Sequence, residues 1–317
     1  MVFGPATGFS ADKEVLYIRT DAATKKAVLD SLRQNKIIGN DFAFNQLANR
    51  VDYWNNIKPG RYEIDKGTSA LNIVRMLKNG RQSPLNLTIT KIRTKEDLAR
   101  ITGNKFEFDS LAMIRFLYSN DSLEKYNRDT TLAMTLVLPD TYTYYWTSSP
   151  ASVLKKLFDE SEKFWTDERK AKAEKLGLTP ASAYIVASIV EEETNHGPEK
   201  STIASVYINR VRKGIPLQAD PTVKFALRDF SLTRIYQKHT KFPSPYNTYY
   251  TKGLPPGPIC TPSKKTIDAV LNAPETEYIF FVASPKFDGT HDFSVSYEEH
   301  LQKARLYQQE LDRRQIR

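Results

Sequence analysis

From Ala181 to Val190 the chain is apolar almost throughout, and it then runs straight into Glu191, Glu192 and Glu193. An apolar stretch of this kind predicts a mostly buried helix with three carboxylates at its end. The run stops at Thr194-Asn195-His196-Gly197-Pro198, a cluster of helix breakers. From Glu199 to about Lys213, the residues Ile203, Val206, Tyr207 and Val211 recur at helical spacing and form the buried stripe of a second helix. A polar loop, Leu217-Gln218-Ala219-Asp220-Pro221-Thr222, follows.

Upstream, short strands and helices alternate. Glu14 to Arg19 has strand composition, and Ala23 to Gln34 has helical periodicity through Val28, Leu29 and Leu32. Lys58-Pro59-Gly60 turns into an alternating strand, Arg61 to Ile64. Thr68-Ser69 can cap a helix carrying Ala70, Ile73, Val74 and Leu77, which closes on Asn79-Gly80. Leu85 to Thr90 reads as a third strand, and Thr94-x-x-Asp97 opens another helix with a capping-box pattern. Helices are expected over Asp109 to Ser119 and Ala151 to Arg169. Between them Leu138-Pro139-Asp140-Thr141-Tyr142 cannot be helical throughout, because the residue before a proline avoids the α region.

Downstream lies a long irregular segment, Phe242 to Tyr250 and Gly253 to Pro258, rich in aromatic residues and proline. Loops of that length are functional or disordered, and the aromatic content argues against disorder. Then come a helix over Lys264 to Leu271, a buried strand over Tyr278 to Ala283 and a second strand over His291 to Ser296. A charged helix runs from Glu298 to the C-terminus. The fold class this predicts is α+β, a small N-terminal α+β module followed by a larger α+β domain.

Composition narrows the picture a little. The 317 residues are enough for two domains with cores, and 40% apolar with 26% charged residues is a folding composition. The net charge of +9, from 46 Lys and Arg against 37 Asp and Glu, favours an anionic partner. No dense basic block selects nucleic acid over an acidic membrane or a carboxylate-bearing polymer. A single cysteine, Cys260, excludes an intramolecular disulfide framework and leaves the compartment open. No window approaches the roughly 18 apolar residues of a membrane span. Met1-Val2-Phe3-Gly4-Pro5 has no signal-peptide character, and so abrupt an opening reads as a cut from something longer.

Several chemistries lack their residues. The four histidines, at 196, 239, 291 and 300, are scattered without metal-ligand spacing. Phosphate-cradling glycine motifs and the GxSxG nucleophile elbow are absent, and Cys260 has no basic partner nearby in sequence. The tyrosine-rich loop has aromatics but little charge, which leaves a nucleic-acid face open and only weakly supported. No metal, cofactor or nucleic acid is therefore expected. Carboxylates remain. Successive helical positions point about 100° apart, so Glu191, Glu192 and Glu193 face three directions. Glu193 follows Val186, Ile189 and Val190 on a wholly apolar face, where the protonated form is favoured. Glu191 follows Tyr184, Ala187 and Ser188, a more mixed face. The competing reading is a solvated glutamate run at a frayed helix end.

The residues from Ala187 to Thr194, ASIVEEET, resemble the signature of the endolytic murein transglycosylases, the YceG-like family. The resemblance continues in order through Ala204 to Arg210, Leu217 to Val223, Tyr246 to Tyr249, Gly253 to Ile259, Tyr278 to Val282, His291-x-Phe293 and Glu299-His300. Leu138 to Tyr142 is similar to the family's PDTY element, and Lys58 to Tyr62 to its LysM-like region. It implies cleavage of the β-1,4 bond from N-acetylmuramic acid to N-acetylglucosamine within glycan strands, leaving 1,6-anhydromuramic ends. It implies Glu193 as the general acid and then base, with Glu191 as the fallback, and Gln218, Asp220, Thr222, Asn247 and Tyr249 along the glycan groove.

The expected layout is a LysM-like module over 13–90, a connecting helical segment over 91–137 and a catalytic domain over 138–317. The expected partners are peptidoglycan glycan strands and the wall-synthesis machinery, including penicillin-binding proteins. The expected place is the outer, periplasmic side of the cytoplasmic membrane, reached through an N-terminal anchor that this chain lacks. Two departures stand out. Lys91-Ile92-Arg93 occupies a place where an acidic residue and glycine are common, and Glu192 one where a basic or polar residue is frequent; the latter is expected to raise the pKa of Glu193. A lysozyme-like hydrolase, a non-catalytic glycan-binding scaffold and a basic nucleic-acid binder are the competing classes.

Overall fold

A computed structural model describes residues 4–315. In chain order the elements are β1 (Lys13–Ile18), α1 (Lys25–Gln34), α2 (Asp41–Arg50), β2 (Gly60–Asp65), α3 (Ala70–Lys78), β3 (Leu85–Ile89), α4 (Lys95–Gly103), α5 (Ser110–Leu117), α6 (Asn120–Glu124) and β4 (Asp140–Tyr144). Then follow α7 (Pro150–Phe164), α8 (Asp167–Lys175), α9 (Pro180–Glu193), α10 (Lys200–Arg212), α11 (Asp220–Leu227), α12 (Gln237–Thr240), α13 (Lys264–Leu271), β5 (Phe280–Ala283), β6 (His291–Ser294) and α14 (Tyr297–Arg313). The fold is α+β, with two-stranded sheets set among helices. The first three residues, part of the stretch without signal-peptide character, and the last two, where the final helix was expected to continue, lie outside the described residues. Among the described residues no helix is long and apolar enough to cross a membrane.

The chain forms two compact units. The first takes the chain up to Thr88 with Ala99–Met113 and Thr141–Val153; the second takes Ile89–Leu98, Ile114–Asp140 and the chain from Leu154 onward. The stretch expected as a connector is thus shared between them. In the first unit β1 and β2 pair antiparallel from Lys13↔Asp65 to Ile18↔Gly60. Tyr62 and Ile64 alternate inward on β2 and meet Leu32, Phe44, Ile73 and Leu77 in one core. α3 ends as its sequence predicts: Gly80 adopts φ +63, and Arg81 N–H reaches back to Met76 O at 3.1 Å. α2 was not predicted. Its buried stripe is only Phe44 and Ala48, and the Asn40 side chain caps it by accepting from Ala43 N at 2.9 Å.

In the second unit α9 is the axle. Thr179 and Ser182 close a capping box around Pro180, and every residue from Ala183 to Val190 is buried. A helix apolar on all sides must be surrounded, and α8, α10, α11 and α13 enclose it. The expected helix over 151–169 is two helices, because Thr166 caps α8 by accepting from Arg169 N. The expected polar loop is shorter than foreseen: Asp220-Pro221 opens α11, with proline in its first turn, where no backbone donor is needed. β5 and β6 pair antiparallel from Phe280↔Ser294 to Ala283↔His291. The expected buried strand is only half-buried, because it packs on α14 and α10 while Phe280 and Phe281 face the cleft described below.

Candidate active site

The three glutamates at the end of α9 take three destinations. The Glu191 Oε2 accepts from Lys200 Nζ at 2.8 Å, from Ser263 Oγ at 3.3 Å and from Thr266 Oγ1. Both members of the Glu191–Lys200 ion pair are about 15% exposed, so this carboxylate ties α9 to α10 and α13. Glu192 accepts from Arg93 Nη2 at 2.8 Å and forms an ion pair with Lys91 at 3.1 Å. Burial alone would push its carboxyl up, but the bonds from Arg93 and Lys91 outweigh that and hold it below the usual range. Lys91, Arg93 and Glu192, the residues expected to depart from the pattern, thus pair with one another. Neutralised in this way, Glu192 is not what raises Glu193, contrary to expectation.

Glu193 opens on a cleft of about 300 Å3, which Tyr207, Arg210, Gln218, Asp220 and Tyr249 also line. Its carboxyl is pushed up to about 7. Burial is the largest cause; the Tyr207 hydroxyl pulls the other way by hydrogen bonding, the Asp220 charge adds to the rise, and Lys224 opposes it. At that value the group is present in both protonation states near neutral pH, as a proton donor that becomes an acceptor requires. Tyr207 on α10 is buried, and burial together with Glu193 lifts its phenol well above the ordinary value, so it stays neutral. Arg210, one turn further on, points inward too. Its Nε donates to Ile279 O at 2.6 Å, and its Nη1 donates to Leu217 O at 2.8 Å, Pro216 O at 3.1 Å and Gln218 Oε1 at 3.3 Å. That guanidinium braces the loop and the hairpin.

Two loops complete the cleft. Gln218 has a left-handed backbone, φ +53, held by its N–H to Thr248 O at 3.1 Å. The Tyr249 hydroxyl donates to Asp220 Oδ1 at 2.8 Å. Thr222 is fully buried; its Oγ1 donates to Ala219 O at 2.6 Å and pairs with Thr248 Oγ1 at 2.8 Å. Asn247 is also fully buried. Its Nδ2 donates to Thr240 O at 3.0 Å and Phe242 O at 2.8 Å, while its Oδ1 accepts from Tyr249 N at 3.0 Å.

Of the residues singled out from sequence, the structure brings together Glu193, Gln218, Asp220 and Tyr249. Thr222 and Asn247 stand behind the cleft wall, and Glu191 faces elsewhere. Sequence reasoning missed Tyr207, Arg210, Phe280, Tyr297 and His300 as cleft residues. Tyr207 read as part of a buried stripe, which it is, and only the packing of α10 on α9 shows where its hydroxyl ends. His300 stood in the Glu299-His300 pair without an assigned role.

A model of the YceG-like family matches residues 16–306. An endolytic murein transglycosylase of Bacillus subtilis is 24% identical over 296 residues, spanning 89% of this chain and 81% of that protein. One of Streptococcus pneumoniae is 24% identical over 303 residues and 85% of this chain, which spans only 54% of that longer protein. A crystal structure of a YceG-like protein from Listeria monocytogenes superposes with a TM-score of 0.59, at 24% identity, covering 92% of this chain and 99% of that one. That likeness is one of fold.

Proposed function

The chain belongs to the YceG-like family, and we propose that it is an endolytic lytic transglycosylase of peptidoglycan. It cleaves the β-1,4 bond from N-acetylmuramic acid to N-acetylglucosamine inside nascent glycan strands and leaves 1,6-anhydro ends. The relatives' name, endolytic murein transglycosylase, supports the reaction class. The observation that carries the proposal is the Glu193 carboxyl, lifted to about 7 on the wall of an open cleft.

The protonated carboxyl gives its proton to the glycosidic oxygen as the bond from C1 breaks. The carboxylate so formed takes the proton of the C6 hydroxyl as O6 closes on C1, which returns the acid to its starting state without consuming water. Tyr207 donates to the carboxylate stage. Asp220, oriented by Tyr249, faces the positive charge that develops at C1. Gln218 hydrogen-bonds the sugars, while Thr222 and Asn247 act as positioning residues by holding the two loops. The reaction needs no metal or cofactor. It takes place on the outer side of the cytoplasmic membrane, beside the penicillin-binding proteins that make the strands.

The test is digestion of purified peptidoglycan, with the new ends read by mass spectrometry. Internal cuts ending in anhydromuramic acid support the proposal. One specific observation favours a second reading: Asp220 supplies a second carboxylate in the cleft, as an ordinary glycosidase requires. Reducing ends would establish that hydrolase instead.

A further inference from the structure

The chemistry above leaves one wall of the cleft unused. Phe280 on β5, with Tyr297 and His300 on the first turn of α14, lines it. The Phe280 and His300 rings stack with centroids 5.1 Å apart and 18° between planes. Tyr297 lies 5.9 Å from Phe280 and 6.4 Å from His300, so the three rings form a continuous patch. Arg210 braces the patch: it lies 5.2 Å from the Phe280 ring centroid and bonds Ile279 O beside it. Tyr297 is 62% exposed, a large aromatic face left open on the wall of a cavity.

His300 adds a polar element. Its Nδ1 is sealed from solvent without a hydrogen-bond partner. A buried N–H without an acceptor is rarer and costlier than an idle lone pair, so the proton belongs on Nε2. Burial and the nearby Arg210 charge both lower its pKa, which keeps the ring neutral. The wall therefore offers apolar ring faces, a phenol and an uncharged N–H donor. Arg210 Nε and Nη1 are already committed to oxygens of Ile279, Pro216, Leu217 and Gln218, and the other three side chains of this wall are aromatic. A pyranose has the matching chemistry, with an apolar C–H face and a rim of hydroxyl and acetamido oxygens.

We propose that Phe280, Tyr297 and His300 form the subsite that seats one N-acetylhexosamine ring of the strand beside the bond cleaved at Glu193, with His300 Nε2–H donating to a hydroxyl or acetamido oxygen. This rests on the glycan-cleaving function proposed above. The test places Tyr297→Ala and His300→Ala separately in the Glu193→Gln chain and measures Kd for glycan strands stripped of their peptides. Tyr250→Ala, at a tyrosine 60% exposed outside the cleft, is the control. Each wall variant weakens binding on the order of tenfold, and the control leaves it unchanged. Cleavage by the parent chain with unchanged Kd in both wall variants overturns the subsite alone. A parent chain that neither binds nor cleaves glycan overturns the subsite and the proposed function together.

Discussion

The surroundings that lift Glu193 to about 7 also have a consequence measurable without substrate. In the unfolded chain this carboxyl titrates at its ordinary value of 4.5. The folded chain therefore holds the proton more tightly across the window from 4.5 to about 7. Stability falls as pH rises through that window, and the loss is complete above it. The gap corresponds to about 3 kcal/mol. A glutamine at 193 has the shape of the protonated acid and never ionises, so Glu193→Gln escapes this loss. Groups that titrate alike in both proteins cancel in the comparison. The stability of Glu193→Gln relative to the parent is thus expected to grow by about 3 kcal/mol between about pH 4 and about pH 8, with the variant the more stable at the higher pH. Urea unfolding of both proteins, with hydrogen exchange of the buried α9 amides as the local probe, gives the two curves. An offset that stays constant with pH would mean that Glu193 titrates as in an unfolded chain, and the acid–base role would lose its basis.

Other expectations follow from the neighbours of Glu193. Tyr207→Phe removes a hydrogen bond that pulls the carboxyl down, so the alkaline limb of the pH–rate profile should move to higher pH; an unmoved limb refutes the contact. Lys200→Met leaves Glu191 enclosed with only hydroxyl partners. It should cost on the order of 3 kcal/mol in urea unfolding, and a loss well under 1 kcal/mol would show the pair to be dispensable. Lys91→Glu alone should destabilise by placing a like charge against Glu192, and adding Glu192→Lys should restore about 1 kcal/mol as coupling in a double-mutant cycle. Purely additive effects would deny the Lys91–Glu192 pairing. Asn247→Ala frees two carbonyls; a loss of about 2 kcal/mol, with KM raised more than kcat is lowered, is what a loop-positioning role requires.

Much of this was legible in the chain because the residues carry strong local signals. The apolar run of α9 and its glutamates marked the axle of the second unit, and the helical offset separated Glu193 from its two neighbours. The stripe of α3 and the alternation of β2 gave their elements directly. α2 was not legible, since a two-residue stripe without a long apolar face looks like a loop. The opening of α11 at Asp220-Pro221 was hidden because the same dipeptide also makes turns. The destinations of Thr222 and Asn247 could not be read either. A polar side chain inside a motif faces a ligand or holds a loop according to partners far along the chain, here Thr248 for one and Thr240 with Phe242 for the other. The aromatic wall joins Phe280 on a strand to Tyr297 and His300 on a later helix, beyond the reach of any local pattern.

Everything proposed for the cleft turns on Glu193. The most direct measurement is digestion of one peptidoglycan preparation by the parent chain and by Glu193→Gln, with the released ends analysed by mass spectrometry. Glu193 as acid and base predicts anhydromuramic ends from the parent and none from the folded variant. Anhydro ends from both would contradict it and move the acid–base role to another group.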